Sequence, residues 1–283
     1  MTISYNQFNK STTTSPSSVI DNKSIIDHNR VNTETPDNNQ LNTPPTSPIT
    51  DQLPSLYKKF NIEIQKSNLM PQPSKIKHGK PFTWLEIKQI VNQNALELFA
   101  RNEKQTEQYH IFKQNLKDSN TSINDHILNC ELHWKESDIR FQEFSVPKQY
   151  SIKHPQDLIF FNDSDIKILP NKFPYYFENG IMHLCIWSKL IIPNDPHSEV
   201  GDISELTKKI IDRYLEKTFI ENGVKPEDMV WFKNWTSLQS VRSISHIHVI
   251  LNKNVDPVFI KKLLETCGTT LTIEDYEKLL GAN

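Results

Sequence analysis

The run Ser243-Ile244-Ser245-His246-Ile247-His248-Val249-Ile250-Leu251 decides the fold. Its apolar, β-branched residues make a strand, and the strand period of two puts His246 and His248 on one face with Ile250, and Ile247, Val249 and Leu251 on the other. A strand apolar on both faces belongs inside a sheet covered on both sides, so two imidazoles project side by side into covered space. An earlier run, Met182-His183-Leu184-Cys185-Ile186-Trp187, repeats the pattern, with His183, Cys185 and Trp187 on one face. Between the two runs lies the polar stretch Asn234-Trp235-Thr236-Ser237-Leu238-Gln239-Ser240, placed to line the same site. Polar groups enclosed by apolar strands require hydrogen-bond partners or a ligand.

Working outward, short apolar runs punctuated by Pro, Asn and Asp predict further strands at 158–161, 166–169, 181–187 and 229–232. A helix capped by Ser204 or Asp202 interrupts them, with Leu206, Ile210, Ile211, Tyr214, Leu215 and Phe219 as its stripe. Two short helices, at 257–265 and 273–280, close the chain, the second capped by Thr272 and stopped by Gly281. Upstream of Trp134 the period changes. Thr83 and Glu86 form a capping box for a helix over 83–101, Tyr109, Phe112 and Leu116 mark a second, and Ile123, Ile127, Leu128 and Leu132 a third. The expectation is one α+β domain over 82–283: a helical layer at 82–135 packed on a mainly antiparallel sheet at 155–252 with a long crossover helix, then C-terminal helices at 257–280.

Residues 1–54 are rich in Ser, Thr, Asn and Pro, and only 12 of the 54 are apolar, too few to bury a core, so a disordered tail is expected. Residues 55–81 carry Lys58, Lys59, Lys66, Lys75, Lys77 and Lys80 against Glu63 and read as a basic linker. Six well-separated glycines exclude the Gly-rich phosphate loops of dinucleotide and P-loop enzymes. Cys130, Cys185 and Cys267 are too dispersed for a CxxC pair, which argues against a structural zinc site or a disulfide framework and for a reducing, cytoplasmic setting. Nearly balanced charge, 32 basic against 34 acidic residues, gives no electrostatic reason to bind nucleic acid, and no apolar run is long enough to span a membrane.

The histidines admit four readings. They are satisfied structural residues, a strand chelate for a metal, a two-histidine phosphoesterase, or a nucleotidyl-histidine site. The phosphoesterase needs two separated His-x-Ser/Thr units, and His183-Leu184-Cys185 is not one. A chelate lacks an identifiable third ligand beyond His183, so neither metal nor cofactor is expected.

The order of Asn234, Gln239-Ser240-Val241 and His246-Ile247-His248-Val249 resembles the histidine-triad family over about 155–252. Asn171-Lys172-Phe173-Pro174-Tyr175 ahead of His183 resembles that family's turn and second strand. That resemblance implies His246 as a nucleophile toward phosphorus, His248 as the last histidine, and Asn234, Gln239 and Ser240 as phosphate contacts. The first histidine of the triad falls on Ile244, and the loop from Asn234 to Gln239 has no glycine. A second resemblance covers more of the chain. Trp84 to Arg101, Leu132-His133-Trp134, Asn171 to Tyr176, Gly180 to Trp187, Trp231-Phe232-Lys233-Asn234, Leu238 to Arg242 and His246 to Val249 are similar to the fungal N-acetylglucosamine-induced proteins. This implies a role in amino-sugar metabolism, with a nucleotide sugar or related phosphate compound as the small-molecule partner. The candidate binding set is His183, Asn234, Trp235, Gln239, Ser240 and Arg242, beside His246 and His248. A hydrolase or nucleotidyltransferase working through His246 and a non-catalytic regulator stay open as alternatives.

Overall fold

The strands and helices sort themselves by which face each one can bury. The computed structural model describes residues 50–66, 73–140 and 155–281. The expected tail lies outside the described residues up to position 49.

Four strands, β3 (Ile166–Pro170), β4 (Met182–Ser188), β5 (Met229–Phe232) and β6 (Ser245–Leu251), form an antiparallel sheet in the order β3-β4-β6-β5. The histidine-bearing β6 is thus interior, as its two-sided apolar character requires, and it pairs with β4 so that Cys185 faces His248 and Trp187 faces His246. One face of the sheet presents Ile168, Leu184, Ile186, Ile247, Val249 and Leu251. Against it pack α5 (Glu205–Leu215), through Ile210, Ile211, Tyr214 and Leu215, and α7 (Ile273–Leu280), through Tyr276. Ser204 caps α5, and Thr272 caps α7 in a reciprocal box closed by Asp275. The helix α6 (Pro257–Leu263) joins the same core through Ile260 and Leu263.

The opposite face carries the histidines and is covered by the N-terminal layer. Helix α2 (Trp84–Asn92) begins at the Thr83–Glu86 capping box and buries Ile87 and Ile90 beside Phe99, Phe232 and Ile250. Helix α3 (Glu103–Asp118) follows, capped by Asn102, and α4 (Ile123–His126) leads directly into a wide π turn over Ile127–Leu132 that ends at His133 in the left-handed region, φ 54. Leu128, Leu132 and Trp134 close over Cys185 and Trp187. An α+β architecture with a helical layer on an antiparallel sheet is therefore what the chain builds.

Three expectations change. The helix predicted over 83–101 stops at Asn92. Asn94 turns left-handed (φ 50), and Ala95 to Ala100 then run through the core, with only a short 3₁₀ turn at Leu96–Leu98. The strand predicted at 158–161 is a buried turn with Phe160 at φ 58, because its apolar residues fill core space without a neighbouring strand. The segment 55–81 is more than a linker: α1 (Leu53–Lys59), β1 (Ile62–Gln65) and β2 (Ser74–Lys77) are built there, with β1 antiparallel to β2. Glu63 and Gln65 alternate with Ile62 and Ile64, and Lys75 and Lys77 flank Ile76, so charge masks a strand period. Phe60, Ile62 and Ile76 are buried, and Ile76 bridges to Arg101. No helix among the described residues is long and apolar enough to cross a membrane.

Candidate functional site

Where the histidine face meets the helical layer the packing leaves a cavity of about 250 Å³. His246, His248, Cys185 and Trp187 come to it from β4 and β6, Asn234, Ser240 and Val241 from the loop between β5 and β6, and Tyr109 and Phe112 from α3. Ile127 and Glu131 come from the π turn, and Asn171 to Phe173 with Tyr175 from the segment after β3. Arg101, immediately before α3, completes the wall.

One anchored amide sets the order of the hydrogen bonds in the floor. The Phe173 backbone N–H donates to Asn171 Oδ1 at 2.9 Å, which orients that amide and aims Nδ2 at His183 Nε2, 3.1 Å away. His183 Nε2 is therefore an acceptor, and the proton in its 2.9 Å contact with His248 belongs to His248 Nδ1. His248 Nε2 must then accept, and it does so from Asn234 Nδ2 at 3.2 Å. That leaves Asn234 Oδ1 buried with no partner among the described residues. His246 is set separately. Its Nδ1–H donates to the Ile244 carbonyl at 3.1 Å, so Nε2 carries a lone pair with no partner among the described residues. The ring lies 4.4 Å from Trp187 and 5.2 Å from His248.

Burial keeps these rings neutral. It lowers His183 to about 3, helped by Arg101 and His246, and His246 to about 4 against the opposing bond to Ile244. His248 is driven well below the ordinary histidine value by burial and by its imidazole neighbours. Burial pushes the Cys185 thiol up to about 12.

Arg101 is the opposite case, a fixed charge. Its Nε and Nη2 donate to the Phe173 carbonyl at 3.0 and 2.7 Å, and its guanidinium lies 4.6 Å from the Tyr109 ring centroid and 5.4 Å from that of Tyr175. No carboxylate pairs with it among the described residues, and the N–H groups on Nη1 have no partner there either. Protein surrounds the group, and its remaining exposure is to the cavity it lines. At the mouth Lys172 pairs with Glu131 at 2.5 Å, and that bond holds the Glu131 carboxyl below its usual range despite partial burial.

The sequence-derived candidates divide. His246, His248, Asn234 and Ser240 line the cavity, and His183 sits directly beneath it, bonded to His248. Gln239 does not line it; its Nε2 donates to the Asn234 carbonyl at 2.6 Å and so braces the loop. Arg242 is exposed and does not line the cavity. Trp235 is a core residue, packed with Phe232 and Ile250 and donating from Nε1 to Asn94 Oδ1 at 3.3 Å. Trp187 is the indole that reaches the site. Arg101, Tyr109 and Tyr175 escaped sequence reading because each belongs to a different segment and only the tertiary fold joins them. The available signal was Asn171 to Tyr175, adjacent in sequence and polar-aromatic in character.

Residues 83–252 match the family model described as Protein of unknown function (DUF3605). The chain is 58% identical over 245 residues to N-acetylglucosamine-induced protein 1 of Candida albicans, covering 86% of this chain and 95% of that protein. It is 27% identical over 169 residues to the uncharacterized protein YPL067C of Saccharomyces cerevisiae, covering 59% of this chain and 77% of that one. The crystal structure of HTC1 shares the fold at a TM-score of 0.50 with 23% identity, over 67% of this chain and 100% of that one. These matches carry the second resemblance and not the histidine-triad one; where a triad's first histidine would stand, Ile244 is fully buried among Leu128, Leu132 and Trp134. The chain belongs to the DUF3605 family, as a relative of N-acetylglucosamine-induced protein 1.

Proposed function

We propose that the cavity binds a phosphorylated amino sugar as part of the cell's response to N-acetylglucosamine. The observation that carries the reading is Arg101: a guanidinium held by a carbonyl and two tyrosine rings, without a carboxylate, facing a cavity. A desolvated cation without a counter-ion is costly, and guanidinium N–H groups match phosphate oxygens geometrically. The other lining groups suit a sugar. His246 Nε2 and Asn234 Oδ1 are acceptors for hydroxyl or amide N–H groups, and Trp187 and Tyr109 bring aromatic rings to the wall. Size narrows the choice. At about 250 Å³ the cavity falls just below the ~300–1,000 Å³ usual for drug-sized ligands, which favours a monosaccharide phosphate over a nucleotide sugar.

The name of the Candida relative supplies the sugar, and its high identity over most of both chains is the reason to carry that link across. Free cysteines at 130, 185 and 267 accord with a reducing cytoplasmic setting.

Thermal unfolding of the full chain against N-acetylglucosamine, its 6-phosphate, inorganic phosphate and uridine-diphosphate N-acetylglucosamine tests this. At roughly 100 times its Kd the sugar phosphate should raise Tm by about 5–10 °C and exceed every other compound. A shift as large with the unphosphorylated sugar removes the role given to Arg101, and no shift with any sugar compound removes the proposal.

A further inference from the structure

In the floor of the cavity lies a second arrangement that the contact of Arg101 with phosphate does not use. His183 and Cys185, two apart on β4, point to the same face, and the cross-strand register sets His248 directly opposite Cys185. His183 Nε2 lies 2.9 Å from His248 Nδ1, Cys185 Sγ lies 3.5 Å from the same nitrogen, and the three atoms all fall within 4.8 Å of one another. From this geometry we infer that His183, Cys185 and His248 form a buried site for a single soft metal ion, Cu(I).

Ligand type, spacing and charge support the assignment. A thiolate with two imidazoles selects soft or borderline ions such as Cu(I) and Zn(II) over hard cations. With metal–nitrogen and metal–sulfur bonds of about 2.0–2.3 Å, neighbouring ligand atoms stand roughly 3.3–3.8 Å apart, so the two nitrogens must open by about half an ångström and Cys185 Sγ must settle at the same spacing from His183 Nε2, which already lies within 4.8 Å of it. Charge then separates the two ions. Cu(I) with one thiolate is neutral overall, whereas Zn(II) with one thiolate leaves a net positive charge in a pocket that already holds Arg101 and whose one acid among the described residues, Glu131, is neutralised by Lys172. Cys185 and His248 also line the cavity, which gives the ion a path in and the displaced thiol proton a path out to solvent. In the step itself the Cys185 S–H bond breaks and a Cu–S bond forms, with no change of oxidation state.

The surroundings offer a ready response. A metal on His248 Nδ1 moves that ring's proton to Nε2, and rotation of the Asn234 amide then offers its unpaired Oδ1 as the acceptor. This is the outer-shell bond that metal-bound histidines usually make.

The test is anaerobic titration of the full chain with Cu(I) against a colorimetric Cu(I) chelator, followed by X-ray absorption. One equivalent should be held through one sulfur and two nitrogens. Cys185→Ser should weaken it by more than about 100-fold and Asn234→Ala by about 10-fold, while Cys130→Ser leaves it unchanged. Circular dichroism verifies that each variant is folded. His183→Gln, which leaves the thiol in place, should also lose the two-nitrogen signature. Competition no better than that of Cys185→Ser, an all-sulfur environment, or Zn(II) displacing stoichiometric Cu(I) would overturn the assignment. Arg101→Gln should bind Cu(I) normally, so failure here is separable from failure of the sugar-phosphate reading.

Discussion

Trp187 and Trp235 show how much a single residue's role depends on its neighbours. Both are aromatic, both flank the histidine strands in sequence, and either can stack on a sugar. The fold puts Trp187 against His246 in the cavity and Trp235 in the core with its N–H on Asn94. Trp235→Phe should therefore lower stability by about 1–2 kcal/mol in urea unfolding and leave sugar-phosphate affinity unchanged. Trp187→Phe should weaken binding in calorimetry by several-fold, the loss of one ring's worth of stacking. A matching loss of affinity in Trp235→Phe would restore the sequence reading. What sequence made legible at this scale was that His246 shares a face with His248 and His183 with Cys185, because a strand has a period of two whatever surrounds it; that the two faces coincide follows from the strand register. What it hid was Arg101, whose neighbours Tyr109, Phe173 and Tyr175 arrive from other segments.

At the scale of elements, the π turn Ile127–Leu132 is the part that serves both the cavity and the core. One stripe of it, Ile127 and Glu131, faces the cavity while the next, Leu128 and Leu132, stays in the core. The apolar period of Ile123 to Leu132 predicted a helix and could not disclose its widening, since both geometries bury the same residues. Glu131 brings a negative charge to the mouth, answered by Lys172. Both side chains are partly exposed, 31% and 47%, so the pair adds little stability. Glu131→Gln should leave the melting temperature within about 1 °C and tighten an anionic ligand roughly threefold at low salt, an advantage that fades as salt is added. Affinity unchanged at low salt would mean that the ligand does not carry its charge past this mouth.

For the whole molecule, the sheet divides the work: the α5–α7 side is dry core, and the other side holds the cavity. Fold class was legible because the runs on both sides of Trp134 differ in period. The contribution of residues 53–66 and 73–77 was not, because charged and polar residues surround Phe60, Ile62 and Ile76, which are nonetheless buried. On the dry side, Arg213 and Lys217 reach from α5 and the π turn that extends it to Asp275 on α7, at 2.8 and 2.6 Å. Burial raises the Asp275 carboxyl, but hydrogen bonds from Lys217, Arg213 and the Thr272 N–H outweigh it and hold the group well below the usual range. A carboxyl depressed on folding stabilises above its unfolded pKa of about 4 and loses that contribution as pH falls below it. Asp275→Asn should thus cost about 2–3 kcal/mol at pH 7, with the gap to the natural chain narrowing below about pH 4. A gap that stays constant through that range would show that the carboxylate's charge is not what joins the helices.

The central claim is that Arg101 makes the cavity an anion site for a sugar. Isothermal titration of the full chain and of Arg101→Gln with N-acetylglucosamine 6-phosphate, at the same low salt, tests it most directly. The expected result is saturable one-site binding to the natural chain and an affinity about 10–100-fold weaker in the folded variant. Equal affinities in the two chains, or no saturable heat in either, would contradict it.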